Sequence, residues 1–366
     1  MVKMKRGSKM LSRNTYMEVD LKALKENVKK IIRANPEYKY YIGVVKADCY
    51  GQGDGYPAKA IVEAGCNYLA VATLDEGLVI RRKIKDIPIL CLGIIPYDYI
   101  DACKLNDITV TIPSLEYMKE LEENDIDCSE LKVHLKVNTG MNRLGMNTAE
   151  DIKEAIKKAK KMHMIIEGIY THLYNAESEE IYDIQAKKFK DIIEKANAKD
   201  IPIIHMSASE GLMDYEKEEF VNGCRLGIVM YGFTDHLEFN LKTTLRLISE
   251  VEQIHELKKG ETVGYGGTYE AKQDGEKIAV VPIGYADGII RKNKGRNVFI
   301  NDKEYEIVGN ICMDMLFVKI DDDVKLHDKV FLLKDNKHIS DVAKYLETIP
   351  YEIICEVGKR VKRVYR

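Results

Sequence analysis

The chain carries almost no excess of either charge. Its 56 lysines and arginines stand against 59 aspartates and glutamates, for a formal net charge of −3. No basic field is present to draw nucleic acid or an acidic membrane surface. Long apolar runs are also missing. The longest, such as residues 87–95, fall far short of the roughly 20 residues that a membrane-spanning helix needs. The basic stretch Met1–Met10 is followed by no apolar segment. It reads as a solvated tail and not as a secretory signal. Eight cysteines occur, at 49, 66, 91, 103, 128, 224, 312 and 355, with no C-x-x-C pair among them. No Cys/His cluster has zinc-ligand spacing, so no metal site is expected. Thiols in apolar stretches read as free and buried, which places the chain in a reducing cytoplasm.

What is present is an ordinary globular composition, 45% hydrophobic and 31% charged over 366 residues. That length suffices for two or more domains. Between residues 40 and 230, eight short apolar runs alternate with amphipathic stretches. The runs are Ile42–Ala47, Tyr68–Thr73, Pro88–Gly93, Ile108–Ile112, Lys132–Asn138, Gly168–His172, Ile201–Ser207 and Cys224–Tyr231. Helical patterns cover Gly55–Ala64, Leu74–Lys83, Tyr97–Leu105, Ser114–Glu123, Thr148–His163 and Glu179–Ala198. The link between the last two runs is shorter and less clearly helical. Eight β/α repeats point to a closed (β/α)8 barrel, with a doubly wound open sheet as the alternative. After about residue 243 the crossover helices stop. Strand-like runs follow at Thr244–Ile254, Glu261–Val263, Lys277–Pro282, Asn297–Ile300, Glu304–Val308 and Leu316–Ile320. Turn signals fall at Gly266-Gly267 and Asn301-Asp302, and a short helix is expected at Ile339–Leu346. The division is therefore 1–243 for the barrel and 244–366 for a mainly β domain. The early strand Thr15–Asp20 is free to pair with the latter.

A barrel opens its functional end at the carboxyl ends of its strands. Lys46 ends the first run, and Tyr50 and a glycine-rich turn follow it. A lysine amine forms Schiff bases with carbonyls, pyridoxal phosphate (PLP) being the commonest such partner. Arg143 follows the fifth run, His172 ends the sixth, Ser209 follows the seventh, and Arg225 and Gly227 belong to the eighth. Singly, Arg143 reads as a surface ion pair, His172 as a satisfied strand-end histidine and Ser209 as a helix cap. Their convergence on one barrel mouth is what argues for a site. Ser209 and Gly227 also occupy the loops where barrels hold phosphate, with Tyr50 as a further hydroxyl donor.

With these residues in place, the chain resembles alanine racemase, the fold-type III PLP enzyme family. The resemblance spans nearly the whole sequence. It rests on Val44–Gly53, Met141–Gly145, Thr171-His172, His205–Gly211, Arg225–Gly232, Val263–Tyr269, Pro282–Gly288, Val308–Asp314, Tyr351–Ile353 and Arg360–Tyr365. It implies PLP as cofactor, with Lys46 as its anchor and one catalytic base. Tyr265 would be the opposed base, supplied by the second subunit of a head-to-tail homodimer. Arg225 would bond the pyridine nitrogen. Arginine has no proton to give there, so the ring stays a weak electron sink and side reactions are disfavoured. His172 would link Arg225 to Tyr265. Arg143 would face the cofactor's phenolic oxygen and the substrate carboxylate, and Lys136 matches a lysine open to carbamylation. Tyr50, Ser209, Tyr351 and the backbone of Gly227 and Ile228 would hold the phosphate. Tyr285, Met313 and Asp314 of the partner would line the substrate entrance.

The resemblance further implies interconversion of L- and D-alanine, supplying D-alanine for peptidoglycan. A serine or broader amino-acid racemase of the same fold is the nearest alternative. A fold-type III decarboxylase would need an acidic partner for the pyridine nitrogen, which Arg225 is not. A non-catalytic PLP-carrying barrel would lack residues 244–366 and Tyr265. Several positions depart from the family pattern: Asn138 for an aspartate, Asn142 for a glycine, Ala208 for an asparagine, Gln52 for a histidine, and Glu177 near a usual aspartate.

Overall fold

The computed structural model describes residues 13–53 and 55–366; the basic stretch Met1–Met10 lies outside them. The chain divides into two compact units, Leu21–Lys242 and the chain up to Asp20 together with Thr243–Arg366. The first strand, β1 (Tyr16–Val19), belongs to the second of these.

The Leu21–Lys242 unit is a closed barrel of eight parallel strands: β2 (Tyr40–Val44), β3 (Tyr68–Val71), β4 (Ile89–Cys91), β5 (Ile108–Ile112), β6 (Lys132–Lys136), β7 (Ile165–Tyr170), β8 (Ile203–His205) and β9 (Gly223–Leu226). β2 pairs in parallel with both β3 and β9, which closes the ring and excludes the open sheet. Most of the expected runs end one to three residues beyond the strands. The eighth run breaks at Gly227, after which residues Ile228–Tyr231 form a 3-10 turn. The link after β8 contains a six-residue helix, Ser209–Asp214. A helix not expected from the sequence, Leu21–Ala34, carries a buried stripe of Leu24, Val28 and Ile31. That spacing is a helical period in plain view.

Strand alternation explains what fills the barrel. Along β6, Val133 and Leu135 point one way while Lys132, His134 and Lys136 point the other. The polar set meets its counterparts from other strands. Tyr68 bonds Thr109 at 2.9 Å, Thr111 bonds Tyr170 at 3.0 Å, and His134 bonds His205 at 3.0 Å. All six of these side chains are buried. The barrel interior is thus hydrogen-bonded and aromatic where such barrels are usually filled by branched aliphatics. Six cysteines, at 49, 66, 91, 103, 128 and 224, are buried, while Cys312 is half-buried and Cys355 exposed.

The second unit carries a nine-stranded sheet. With β10 (Leu245–Glu250), β11 (Gln253–Leu257), β12 (Thr262–Val263), β13 (Tyr269–Glu270), β14 (Glu276–Val281), β15 (Asn297–Ile300), β16 (Lys303–Val308), β17 (Leu316–Ile320), β18 (Lys329–Leu333) and β19 (Lys362–Tyr365), its order is β11-β14-β17-β16-β15-β18-β10-β1-β19. The expected run Thr244–Ile254 is two strands, because the chain changes partner at its middle. Val251 N donates to Asp328 O and Glu252 N to Val280 O. β1 lies between β10 and β19, as the free early strand allowed. β18, β19 and the helix Pro350–Cys355 were not expected from the sequence. Among the described residues, no helix is long and apolar enough to cross a membrane.

Gly168 of β7 lies against the His134 ring, where an added Cβ would come within 2.4 Å of the imidazole. Both are fixed in the barrel wall, so neither can give way cheaply. Gly168→Ala should lower the unfolding free energy by about 1–3 kcal/mol, read by urea denaturation. An unchanged midpoint would show that His134 is free to move.

Candidate active site

Lys46 stands two residues beyond the end of β2, held there by Val45 N donating to Ala70 O at 2.8 Å. The next four residues are all left-handed: Ala47 (φ 50, ψ 50), Asp48 (φ 57, ψ 47), Cys49 (φ 52, ψ 52) and Tyr50 (φ 53). Left-handed geometry costs L-residues roughly 1–2 kcal/mol each. Backbone bonds offset that cost, from Cys49 N to Val45 O at 3.1 Å, Gly51 N to Ala47 O at 2.8 Å, and Gly53 N to Asp48 O at 2.8 Å. Glu76 adds an external tether: it accepts from Ala47 N at 2.8 Å and from Ala72 N at 2.7 Å. Residual strain held by its surroundings at this point marks a functional turn. The sequence signalled the glycines but not the reversed hand of the turn.

Arg225, on β9, is the centre of the barrel mouth. It is buried. Its Nη1 donates to His205 Nδ1 at 2.7 Å, and its Nη2 lies 2.7 Å from Met206 O, 3.0 Å from Thr171 O and 3.0 Å from His172 Nδ1. The guanidinium is a pure donor, so both histidines must accept through Nδ1. Each therefore carries its proton on Nε2. His205 passes its proton side to His134 Nδ1, 3.0 Å away. Burial, followed by the charge of Arg225, pushes His172 down to about 2 and His134 to about 3, and holds His205 well below its ordinary value. Burial also brings Arg225 down to about 10, which still leaves it charged near neutrality. Among the described residues no acceptor meets its Nε.

Lys136, at the end of β6, is buried with its Nζ 3.2 Å from Val137 O and 4.6 Å from the centre of the Tyr170 ring. No carboxylate reaches it among the described residues. Burial, reinforced by Arg225 and Arg143, holds its pKa well below the ordinary lysine value. Tyr170 also takes Arg225 over its face at 5.6 Å and stacks on His205 at 4.7 Å. This ring of aromatic surface softens a crowd of positive charge. Arg143 sits on the loop after β6, and its guanidinium meets no acceptor among the described residues.

After β8 and β9 the backbone forms a small cradle. Ser209 Oγ accepts from Gly227 N at 3.2 Å and Val229 N at 3.4 Å. A Cβ on Gly227 would lie 3.1 Å from Ser209 Oγ and 3.3 Å from Tyr50 Oη. Hydroxyls and backbone donors thus converge on space that only glycine leaves open. Ile228 begins the 3-10 turn beside it.

The remaining expected residues lie in the other unit. Tyr265 follows Gly264 in a turn and is 75% exposed. Asn310 Nδ2 donates to its carbonyl at 2.8 Å. The Tyr285 and Met313 loops are joined by Tyr285 N to Cys312 O at 3.1 Å and Ala286 N to Met313 O at 3.0 Å. Asp287, fully buried beneath that turn, accepts a two-pronged bond from Arg13 at 2.7 and 3.0 Å and lies 2.9 Å from Arg360 Nε. Arg360 Nη2 in turn holds Asp314 at 2.5 Å. The carboxylate of Asp314 is therefore engaged within its own unit. Tyr351 lies in the first turn of Pro350–Cys355. Asp287, Arg13, His205, His134 and Glu76 were not singled out from the sequence. Only His205 and Asp287 lay inside motifs noted there, His205–Gly211 and Pro282–Gly288.

A lysine on a strained turn, an arginine aimed by neutral acceptors and a glycine–serine phosphate cradle, all at one barrel mouth, define a PLP-dependent barrel enzyme. The donors present suit the cofactor: the cradle for its phosphate and Arg225 Nε for its ring nitrogen. Residues 19–235 match the alanine racemase N-terminal domain and residues 244–365 the alanine racemase C-terminal domain. The chain is 36% identical to alanine racemase 1 of Bacillus subtilis (strain 168), covering 98% of this chain and 95% of the relative. Its fold is similar to the crystal structure of alanine racemase from Bacillus anthracis with bound L-Ala-P. That likeness has a TM-score of 0.91 and 32% identity, over 98% of this chain and 96% of that one. It is also similar to alanine racemase of Clostridium difficile 630 in complex with cycloserine, with a TM-score of 0.88 and 33% identity over 97% and 96%. The chain belongs to the alanine racemase family of PLP-dependent isomerases.

The three depressed histidines carry a pH signature. Their folded pKa values lie below the ordinary 6.5, so the unfolded chain takes up protons that the folded chain refuses. Stability is thus full above about pH 6.5 and is lost as pH falls from there toward the folded values, by about 1.4 kcal/mol per unit per histidine. Nitrogen-15 spectra at pH 5 should show His134, His172 and His205 neutral and protonated on Nε2. An imidazolium at any of them would refute the assigned hydrogen-bond direction.

Proposed function

We propose that this chain interconverts L- and D-alanine in the cytoplasm as a homodimer, with Lys46 of one subunit opposed to Tyr265 of the other, and so supplies D-alanine for peptidoglycan. When bound, PLP ties the substrate amine to a conjugated carbonyl-derived system that acidifies the α-hydrogen. The remaining work falls to side chains. Lys46 takes or returns a proton on one face of the α-carbon, and Tyr265 does so on the other. Two opposed groups are what inversion at one carbon requires, since a single base tends to return the proton to the face it came from.

The observation that carries the reading is the acceptor-only environment of Arg225. Every partner of its guanidinium is a neutral acceptor. It cannot hand a proton to the ring nitrogen, which keeps the cofactor a poor electron sink and favours proton return over decarboxylation or transamination. His172 completes the link: accepting from Arg225 at Nδ1, it has Nε2–H left to direct at the tyrosine oxygen.

Arg143 would take the substrate carboxylate and the cofactor's phenolic oxygen with donors that have no other claim on them. Lys136, its amine favoured in the neutral form, is a nucleophile for carbon dioxide. The resulting carbamate would supply the anion missing beside Arg143. Tyr50, Ser209, Gly227, Ile228 and Tyr351 would hold the phosphate. Exposed Tyr265, Tyr285, Ile290, Met313 and Met315 form the kind of apolar group that a partner covers, and Tyr285, Met313 and Asp314 would line the entrance from that side.

Purified protein with PLP should racemise L-alanine faster than L-serine, followed by circular dichroism of the substrate. Turnover of neither would sink the reading, and a serine preference would move it to the broader racemases. Tyr265→Phe should keep the cofactor's absorbance and lower kcat by about 100-fold or more. Normal racemisation by that variant would rule out the two-base assignment.

A further inference from the structure

The Arg143 guanidinium has no acceptor among the described residues, so its position depends on the loop that carries it. That loop is closed at its base by Asn138 N donating to Met146 O at 2.8 Å and Met146 N to Lys136 O at 2.9 Å. Thr139 is pinned from below, with its hydroxyl 2.8 Å from both Thr171 Oγ1 and Gln185 Nε2. Across the loop, one side chain does the rest. Asn138 Oδ1 accepts from Gly140 N at 3.1 Å and Asn142 N at 3.0 Å. Asn138 Nδ2 donates to Asn142 Oδ1 and Asn147 Oδ1, each at 2.9 Å.

The two backbone N–H groups identify which end of the amide is oxygen, so the other end must donate. Both amide hydrogens and both lone-pair directions of Asn138 are then used. The hub ties down the residue directly before Arg143. Asn142 itself is left-handed, at φ 55. Asparagine tolerates this region, and its side chain gains the bond to Asn138 that a glycine would lack. Two positions that depart from the family pattern therefore act together.

We propose that Asn138 is a positioning residue for Arg143, setting where its guanidinium meets the substrate carboxylate. This rests on the reading of Arg143 given above. The probe is propionate, alanine without its amine, as a competitive inhibitor of the PLP-loaded enzyme, alongside hydrogen exchange of the whole chain. Asn138→Ala should raise the alanine KM and the propionate inhibition constant by about 10-fold or more. Exchange at the Gly140 and Asn142 amides should quicken, with the barrel strands unchanged. Asn138→Asp keeps the acceptor, and the exposed Asn142 and Asn147 amides can turn to donate, so it should restore most of the lost binding. Asn142→Gly should be milder than Asn142→Ala, which keeps a Cβ in the left-handed region and loses the bond. If Asn138→Ala leaves both constants within twofold while Arg143→Lys raises them, Asn138 does not position Arg143. If Arg143→Lys also leaves them unchanged, the Arg143 assignment itself falls, and the proposal with it. Loss of binding in both Asn138 variants without faster amide exchange would equally overturn it.

Discussion

The buried histidines and carbonyls at the barrel mouth are arranged around Arg225, a buried cation that meets no carboxylate among the described residues. Taking a guanidinium out of water is costly unless its donors are satisfied. Here neutral acceptors meet both terminal nitrogens, two backbone carbonyls and two imidazoles, and leave Nε without an acceptor among the described residues. That choice fixes the tautomers of His172 and His205, and through His205 that of His134. Burial first, and then the charge of Arg225, hold the Lys136 pKa well below the ordinary lysine value. The aromatic face of Tyr170 takes up part of the remaining field. A carboxylate in place of one imidazole would neutralise the arginine and release these neighbours from its charge.

The fold was legible because each barrel run kept a buried apolar set and most links kept a helical period. Eight such runs left little room for another closure. Boundaries blurred where an apolar residue continued past the last paired one, as at Gly227–Tyr231, because hydrophobicity reports burial and not hydrogen bonding. The Leu21–Ala34 helix was overlooked although Leu24, Val28 and Ile31 were spaced for it. β18 was likewise overlooked, although Val330–Leu333 is an unbroken apolar run. β19 was missed for a different reason: its partner β1 is distant in sequence, and its short mixed run takes strand character from that partner.

The site was legible in its chemistry-bearing residues and not in the groups that aim them. Lys46, Arg225, Ser209 and Gly227 fall at strand ends where a barrel mouth must be. Glu76 lies about thirty residues from Lys46, and Asp287 more than 270 from Arg13; no local pattern joins such partners. The left-handed turn after Lys46 was hidden as well. Asp48 tolerates that hand better than most, but Ala47, Cys49 and Tyr50 have no individual preference for it, and the tethers around them impose it.

The placement of β1 has a consequence for how the protein is made. The barrel unit is one continuous stretch and can close while synthesis goes on. β1 cannot: its register partners are Leu245–Ile248 on one side and Lys362–Tyr365 on the other. At typical elongation rates the second of these emerges roughly 15–70 s after β1 leaves the ribosome. Until β10 emerges β1 has two unpaired edges, and one edge stays open until β19 follows, while the barrel is already assembling. The order of folding is thus written into the sheet: the barrel first, and β1, next to the sheet's edge, among the last strands to be enclosed.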